Sequence, residues 1–462
     1  MATDPTKFER LRAVGLSEKY STARHPIRFY VNVALTASYT IPETYTLPLK
    51  DYVYKAVETL INQHPILSAI PLGEDTENPY WVRLPDIDLA QSISFQQTAK
   101  RLTLDDYDEE LKDLLQTQHG TGFTVPLPFW RLIVLTSDDS DRHFTAVFVY
   151  HHAVGDGTSG KAFHRTFLQA LRGAASLQAG EAKQIIIPPK SNLLPPLEDV
   201  HPLPLSVPYL LKILFRAYFP SKPSPKHWAG GKIQTPSGTK IGVLRQSAAQ
   251  TLALVKNCRE HGTTVTCAVE TAIARSVFAS ISKEYTRIMG SVPITQRPWL
   301  PDIITDESMG VFVQEAPEYF SRDVLTTRNF PWPEAQRVRN ALKKELALES
   351  KNTSVGLFKL VRNYRQDLCE SKIDKPRPAT FELSSLGVVK TVEAADVSIP
   401  QLNRVIFTQS ASVTGAALQF SAVTGPDGCL VLGVSWQPGV VEEEVAGDIL
   451  GRLKYELDLI SE

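Results

Sequence analysis

The sequence predicts an α/β protein, with helices and strands in α+β layers and the chain divided into two parts. Three observations carry this. Short β-rich runs and amphipathic helical segments occur on both sides of the chain's midpoint. Ten prolines between Pro188 and Pro225 break the chain in the middle. The 462 residues, 43% hydrophobic and 21% charged, can bury a sizeable core. Proline fixes φ and removes a backbone donor, so 188–230 is expected to be an extended crossover. It separates an N-terminal part, 1–187, from a C-terminal part, 231–462.

The elements follow in order. The segment 51–64 places Tyr54, Val57, Leu60 and Ile61 on one helical face, and Pro65 ends it because the residue before proline leaves the α region. I-L-S-A-I (66–70) reads as a strand. F-W-R-L-I-V-L (129–135) and H-F-T-A-V-F-V-Y (143–150) read as an antiparallel pair joined by S-D-D-S-D, the second strand buried on both faces. A helix over 157–171 follows, with Thr158 or Ser159 as N-cap. In the second part, 264–278 is a buried helix, and 286–294, 380–389, 416–424 and 429–436 are strands. The last segment, 440–457, is an amphipathic helix.

The totals exclude some classes. A net charge of −1 argues against a nucleic-acid surface or a polybasic anchor. Cys258, Cys267, Cys369 and Cys429 match no C-x-x-C spacing, so reduced thiols in a cytoplasmic protein are expected. The polar N-terminus lacks a signal-peptide core and the C-terminus carries no retention tag. No membrane span is expected. The most apolar stretch, 209–219, is short and broken by Lys212 and Arg216. It reads as a surface helix docked by its apolar face, with an interfacial membrane helix as the second reading.

The chemistry concentrates in V-F-V-Y-H-H-A-V-G-D-G, residues 147–157. Two histidines end a buried strand just before a turn into a helix, a place where such proteins put active groups. Consecutive strand side chains point to opposite faces, so His151 and His152 cannot share one cleft. Three readings stand. In the first both are satisfied structural histidines; in the second His and Asp bind a metal, though the facial-triad H-x-D step is absent; in the third one neutral imidazole is a general base.

The string H-H-x-x-x-D-G after an apolar strand resembles the signature of the chloramphenicol-acetyltransferase-like superfamily. That group includes plant BAHD acyltransferases, condensation domains and fungal alcohol acetyltransferases. H-P-I-L-S-A (64–69), P-F-W-R-L-I-V-L (128–135), T-V-T-C-A-V-E-T-A (264–272), S-V-P-I-T-Q-R-P (291–298) and S-S-L-G (384–387) resemble its other segments, in family order. The S-S-L-G is similar to the S-N-L-G of fungal alcohol acetyltransferases, with serine where asparagine is common. The plant D-F-G-W-G is absent.

The resemblance implies two chloramphenicol-acetyltransferase-like subdomains with an active-site channel between them. It implies transfer of an acyl group from acetyl-CoA or another acyl-CoA to the hydroxyl of a small natural product. His152 becomes the base and His151 packing. Asp156 supports the turn by pairing with Arg297 from the other half. Gly157 allows a close backbone approach. Ser384 or Ser385 is the candidate for an oxyanion or acceptor contact. Lys372, Lys375 and Arg377 are candidates for the CoA phosphates. No metal and no permanently bound cofactor are expected, and the protein is expected to act as a monomer. A carrier-protein donor, an amine acceptor, and a cyclase or binding use of the scaffold stay open.

Overall fold

The computed structural model of the chain describes residues 8–98, 108–137, 140–219, 224, 226–391 and 398–462. Eleven strands make the two large sheets. In chain order they are β1 (Val33–Thr40), β2 (Ile93–Thr98), β3 (Trp130–Ser137), β4 (Ser140–Tyr150), β5 (Lys240–Gln246), β6 (Arg287–Thr295), β7 (Val313–Ser321), β8 (Phe381–Val388), β9 (Gln401–Gln409), β10 (Leu418–Thr424) and β11 (Leu430–Trp436). The principal helices are α1 (Leu16–Arg24), α2 (Leu49–Gln63), α3 (Gly157–Gly173), α4 (Val207–Tyr218), α5 (Val265–Ser280) and α6 (Glu443–Leu459).

The first sheet runs β9-β1-β4-β3-β2 and the second β5-β11-β10-β8-β6-β7. β3 and β4 are antiparallel, with Trp130 opposite Tyr150. β4 is central to its sheet and its residues 144–150 are buried, as an uninterrupted apolar run requires. Each sheet packs its own helices: α2 and α3 beside the first, α5 and α6 beside the second. The division is not clean. β9 lies after residue 231 in the chain, yet it pairs antiparallel with β1, Val33 opposite Gln409. Val405, Ile406 and Phe407 enter the first core with it. The second part thereby donates an edge strand to the first part's sheet, and this closes the two halves around a shared cavity.

Local outcomes differ from expectation in three places. Residues 65–68 form a 3-10 turn started by Pro65, and the strand covers only Ala69–Leu72. The N-cap of α3 is Asp156, whose Oδ1 accepts from the Ser159 N–H at 3.1 Å, so neither Thr158 nor Ser159 caps it. The helix in the crossover forms as α4, but its apolar face is not docked. Val207, Leu211, Leu214, Phe215 and Tyr218 recur at helical spacing and are exposed. The expected S-D-D-S-D turn falls partly on residues 138–139, outside the described residues. Among the described residues no helix is long and apolar enough to cross a membrane. All four cysteines are buried and free.

Candidate active site

β4 delivers the two histidines and then ends. His151 is buried, while His152 is partly exposed. The rings part as strand alternation requires. His152 lines a cavity between the halves, together with Tyr30, Asp156, Gly157, Glu382 and Ser384. The Tyr30 ring stands edge-on to it at 5.4 Å. Burial, then the nearby Arg24 cation, push the His152 imidazole down to about 4, so the ring is neutral at pH 7. Its Nδ1 is buried without a hydrogen-bond partner. The other nitrogen, Nε2, is left for the cavity.

His151 does more than pack. Its Nε2 lies 3.2 Å from Glu74 Oε1, and His25 Nδ1 lies 3.0 Å from Glu74 Oε2. These three groups have a metal-like spacing. The opposite ring nitrogens, however, accept backbone N–H groups: His151 Nδ1 from Ala153 at 2.9 Å and His25 Nε2 from Phe123 at 3.0 Å. A neutral ring at either position therefore carries its proton on the nitrogen that faces Glu74. Burial works against the Glu74 charge, but the two imidazoles outweigh it and hold its carboxyl below the ordinary value. The trio reads as one carboxylate hydrogen-bonded to His25, with His151 close by at 3.2 Å.

Asp156 points away from the cavity centre into a network that joins the halves. Its Oδ2 accepts from Arg297 Nη1 at 2.7 Å and its Oδ1 from Arg297 Nη2 at 3.1 Å. The Phe312 N–H donates to Oδ2 at 3.0 Å, and the Ser159 hydroxyl to Oδ1 at 3.2 Å. Arg297 also donates to the Thr305 and Ser308 carbonyls, each at 3.1 Å. Aspartate and arginine are 3% and 5% exposed, so the pair is fully desolvated. Burial opposes the charge on Asp156. Arg297 and the N–H donors outweigh it and hold the carboxyl below its ordinary range.

Gly157 is where α3 meets β8 and β9. A Cβ there would lie 2.6 Å from Leu386 Cδ2 and 3.2 Å from Phe407 Cζ. The missing side chain makes room for those two residues more than for the histidine. Lys161 Nζ donates to the Leu386 carbonyl at 2.7 Å and ties the same junction. Gly157→Ala is expected to cost about 1–3 kcal/mol by overpacking and to lower turnover as the His152 turn shifts. Denaturant unfolding and initial rates check this; unchanged values would contradict it.

The other candidates separate. Ser384 lines the His152 cavity, but Ser385 projects to the reverse face of β8. There Thr266 Oγ1 donates to it at 3.3 Å, and it lines a second, apolar cavity with Val265, Val269, Leu383 and Leu430. The strand's two-residue period forces this split, so Ser385 is withdrawn as a contact in the His152 cavity. Arg377 is withdrawn as a phosphate ligand. It is buried and donates to the carbonyls of Ser412 at 3.0 Å and Gly415 at 3.1 Å. Lys372 and Lys375 are exposed and line neither cavity.

Sequence reasoning missed Arg24, Tyr30, Glu382 and Gln409, all in the His152 cavity. Arg24 and Tyr30 carry no motif. Glu382 had a signal: alternation along T-F-E-L-S-S puts it on the face of Ser384.

Comparison with known proteins bears on the family and the fold. The sequence profile described as Alcohol acetyltransferase matches residues 103–450. A protein of Aspergillus fumigatus named "Probable alcohol acetyltransferase crmB" is 34% identical over 455 residues, covering 93% of this chain and 95% of that protein. Among solved structures, the TRI3 trichothecene 15-O-acetyltransferase of Fusarium sporotrichioides has a TM-score of 0.73 at 15% identity, covering 100% of this chain and 97% of that one. The condensation domain of the Monacolin K polyketide synthase MokA has a TM-score of 0.60 at 13% identity, covering 98% of each chain. The fold is thus the two-subdomain fold of the chloramphenicol-acetyltransferase-like proteins, and the protein is an acetyltransferase. The chain belongs to the alcohol acetyltransferase family.

Proposed function

We propose that the protein moves an acetyl group from acetyl-CoA to the hydroxyl of a small natural product, with His152 as general base. One observation carries this reading: a neutral imidazole held at the wall of a cavity between the halves, with its Nδ1 buried and its Nε2 left to accept a proton. The acceptor oxygen attacks the thioester carbonyl as its proton passes to Nε2. The C–O bond forms, the C–S bond breaks, and the proton moves on to the departing thiolate. The thioester is already activated, so the site supplies alignment and proton transfer. Asp156 and Arg297 are positioning residues that hold the turn. Ser384 is the candidate donor toward the developing oxyanion.

The second cavity supports a place for the donor. It lies on the reverse side of β8 and is lined by apolar groups, which suits the pantetheine arm of an acyl-CoA. Donor and acceptor would then approach from opposite sides of β8, and no permanent cofactor, metal or second chain is required.

Incubating the protein with acetyl-CoA and a panel of alcohols, and following free thiol, tests the proposal. Thiol release coupled to ester formation is expected. Its absence with every alcohol would favour a carrier-protein donor or a non-acyltransferase use of the scaffold. The pH profile is a second check. Protonation removes the base, and burial with Arg24 lowers the pH at which this happens to about 4. The logarithm of kcat at saturating acceptor is therefore expected to stay level from pH 7 to about 5 and to fall only below that. A fall centred near 6.5, the ordinary histidine value, would contradict it.

A further inference from the structure

Pockets for small molecules are lined mostly by apolar groups with a few polar ones. The cavity before His152 departs from that pattern. Glu382, Glu315, Arg24, Gln409, Gln419 and Ser384 all line it. Glu382 is built in rather than incidental. Its Oε1 accepts from Gln409 Nε2 at 3.1 Å, and Gln409 Oε1 accepts from the Tyr30 hydroxyl at 2.8 Å. Tyr30 is the ring against which His152 stands. The carboxylate is thus linked through two hydrogen bonds to the base's own packing partner.

Among the described residues Glu382 has no ion-pair partner and accepts only the Gln409 bond. Burial, then the neighbouring Glu315, push its carboxyl up to about 7. A half-buried carboxylate with spare lone pairs lacks donors. Arg24 is complementary. Its guanidinium lies over the Tyr20 and Tyr30 rings, 3.8 and 4.6 Å from their centroids. Its Nε donates to the Tyr20 carbonyl at 3.2 Å, and no acceptor is engaged by its Nη groups among the described residues. The cavity therefore offers acceptors and donors that no other described side chain engages.

Charge narrows the ligand. Glu315, and Glu382 in its ionised form, oppose an anionic acceptor. Arg24, facing the same space, opposes a cationic one. A neutral compound with several hydroxyls satisfies both sides, because each hydroxyl can donate to a carboxylate and accept from a guanidinium. We propose that the acceptor is a neutral polyhydroxylated compound, whose hydroxyls beyond the reacting one are held by Glu382 and Arg24. This rests on the reading that the His152 cavity holds the acceptor of an acetyl transfer. Glu382 and Arg24 are then specificity-determining residues.

The test uses the full chain with acetyl-CoA and five alcohols: glycerol, erythritol, sorbitol, 1-hexanol and choline. Initial rates are read for the wild type, Glu382→Gln and Glu382→Leu, with His152→Ala as control. For the wild type, kcat/KM for sorbitol or erythritol is expected to exceed that for 1-hexanol and for choline by at least about tenfold, the worth of one hydrogen bond to a charged group. In Glu382→Leu the polyol-to-hexanol ratio of kcat/KM is expected to fall about 10- to 100-fold, chiefly through KM. Glu382→Gln keeps the shape and should fall between, and an unchanged thermal midpoint in that variant shows that the fold is intact. Preference for 1-hexanol or choline, or a ratio unmoved in both variants, overturns the inference while leaving acetyl transfer standing. Release with none of the five alcohols overturns the inference together with the reading beneath it. Full activity of His152→Ala overturns only the assignment of the base.

Discussion

Replacing His152 with alanine is expected to lower turnover by about 10²–10⁴-fold, the usual worth of a positioned general base. The structure makes this a clean experiment. His152 Nδ1 engages no partner, so truncation orphans no buried side-chain donor or acceptor. The ring is partly exposed to the cavity, and its loss widens that cavity without opening a sealed core. The thermal midpoint should therefore stay close to that of the wild type while the rate collapses. KM for the acceptor should change little, because the imidazole acts on the proton in flight more than on the bound ground state. Initial rates with acetyl-CoA and an accepted alcohol, alongside a melting curve, decide the matter. A folded variant with wild-type turnover would remove His152 from the mechanism.

Asp156→Ala is expected to act on the fold first, costing about 3–5 kcal/mol, the loss seen when one partner of a buried ion pair is removed. The alanine would leave the Arg297 guanidinium buried and uncompensated, and would free the Phe312 and Ser159 N–H groups. It would also remove the N-cap of α3. Arg297→Met should cost a similar amount, and the double variant less than the sum, since both remove the same interaction. The pH dependence has a definite sign. Asp156 is held below its ordinary value in the folded protein. Its contribution is complete above the unfolded value, about 3.9, and is lost as pH falls through the folded one. Equilibrium unfolding in denaturant at pH 7 checks the magnitude. Single variants within 1 kcal/mol of wild type would mean that the pair carries no structural load. Activity should fall with stability, because the same turn aims His152.

Legibility was uneven for physical reasons. The β4 run and its neighbour β3 could be read from apolar continuity and turn residues alone, and α5 from its small, apolar composition. Strand geometry alone put His151 and His152 on opposite faces, and the family resemblance assigned the base to His152. Ser384 and Ser385 could have been separated in the same way, and the structure does separate them across β8. Arg377 misled because it stands in a charged stretch that looks solvated; its side chain turns inward to cap the Ser412 and Gly415 carbonyls. α4 misled in the other direction, since an amphipathic pattern states which face is apolar and not what covers it.

Periodicity and turn residues were enough for six of the eleven strands of the two large sheets, and the H-H-x-x-x-D-G string with the segments that follow in family order was enough for the family. Those are properties of neighbouring residues, and they survive in any tertiary setting. Three-dimensional packing settled the rest. It inserted β9 into the first sheet, set His151 against Glu74, and gathered Arg24, Tyr30, Glu382 and Gln409 around His152. Those four come from two segments, Arg24 with Tyr30 and Glu382 with Gln409, far apart in the chain. Their meeting depends on which surfaces the two halves bury against each other, and no local spacing records that choice.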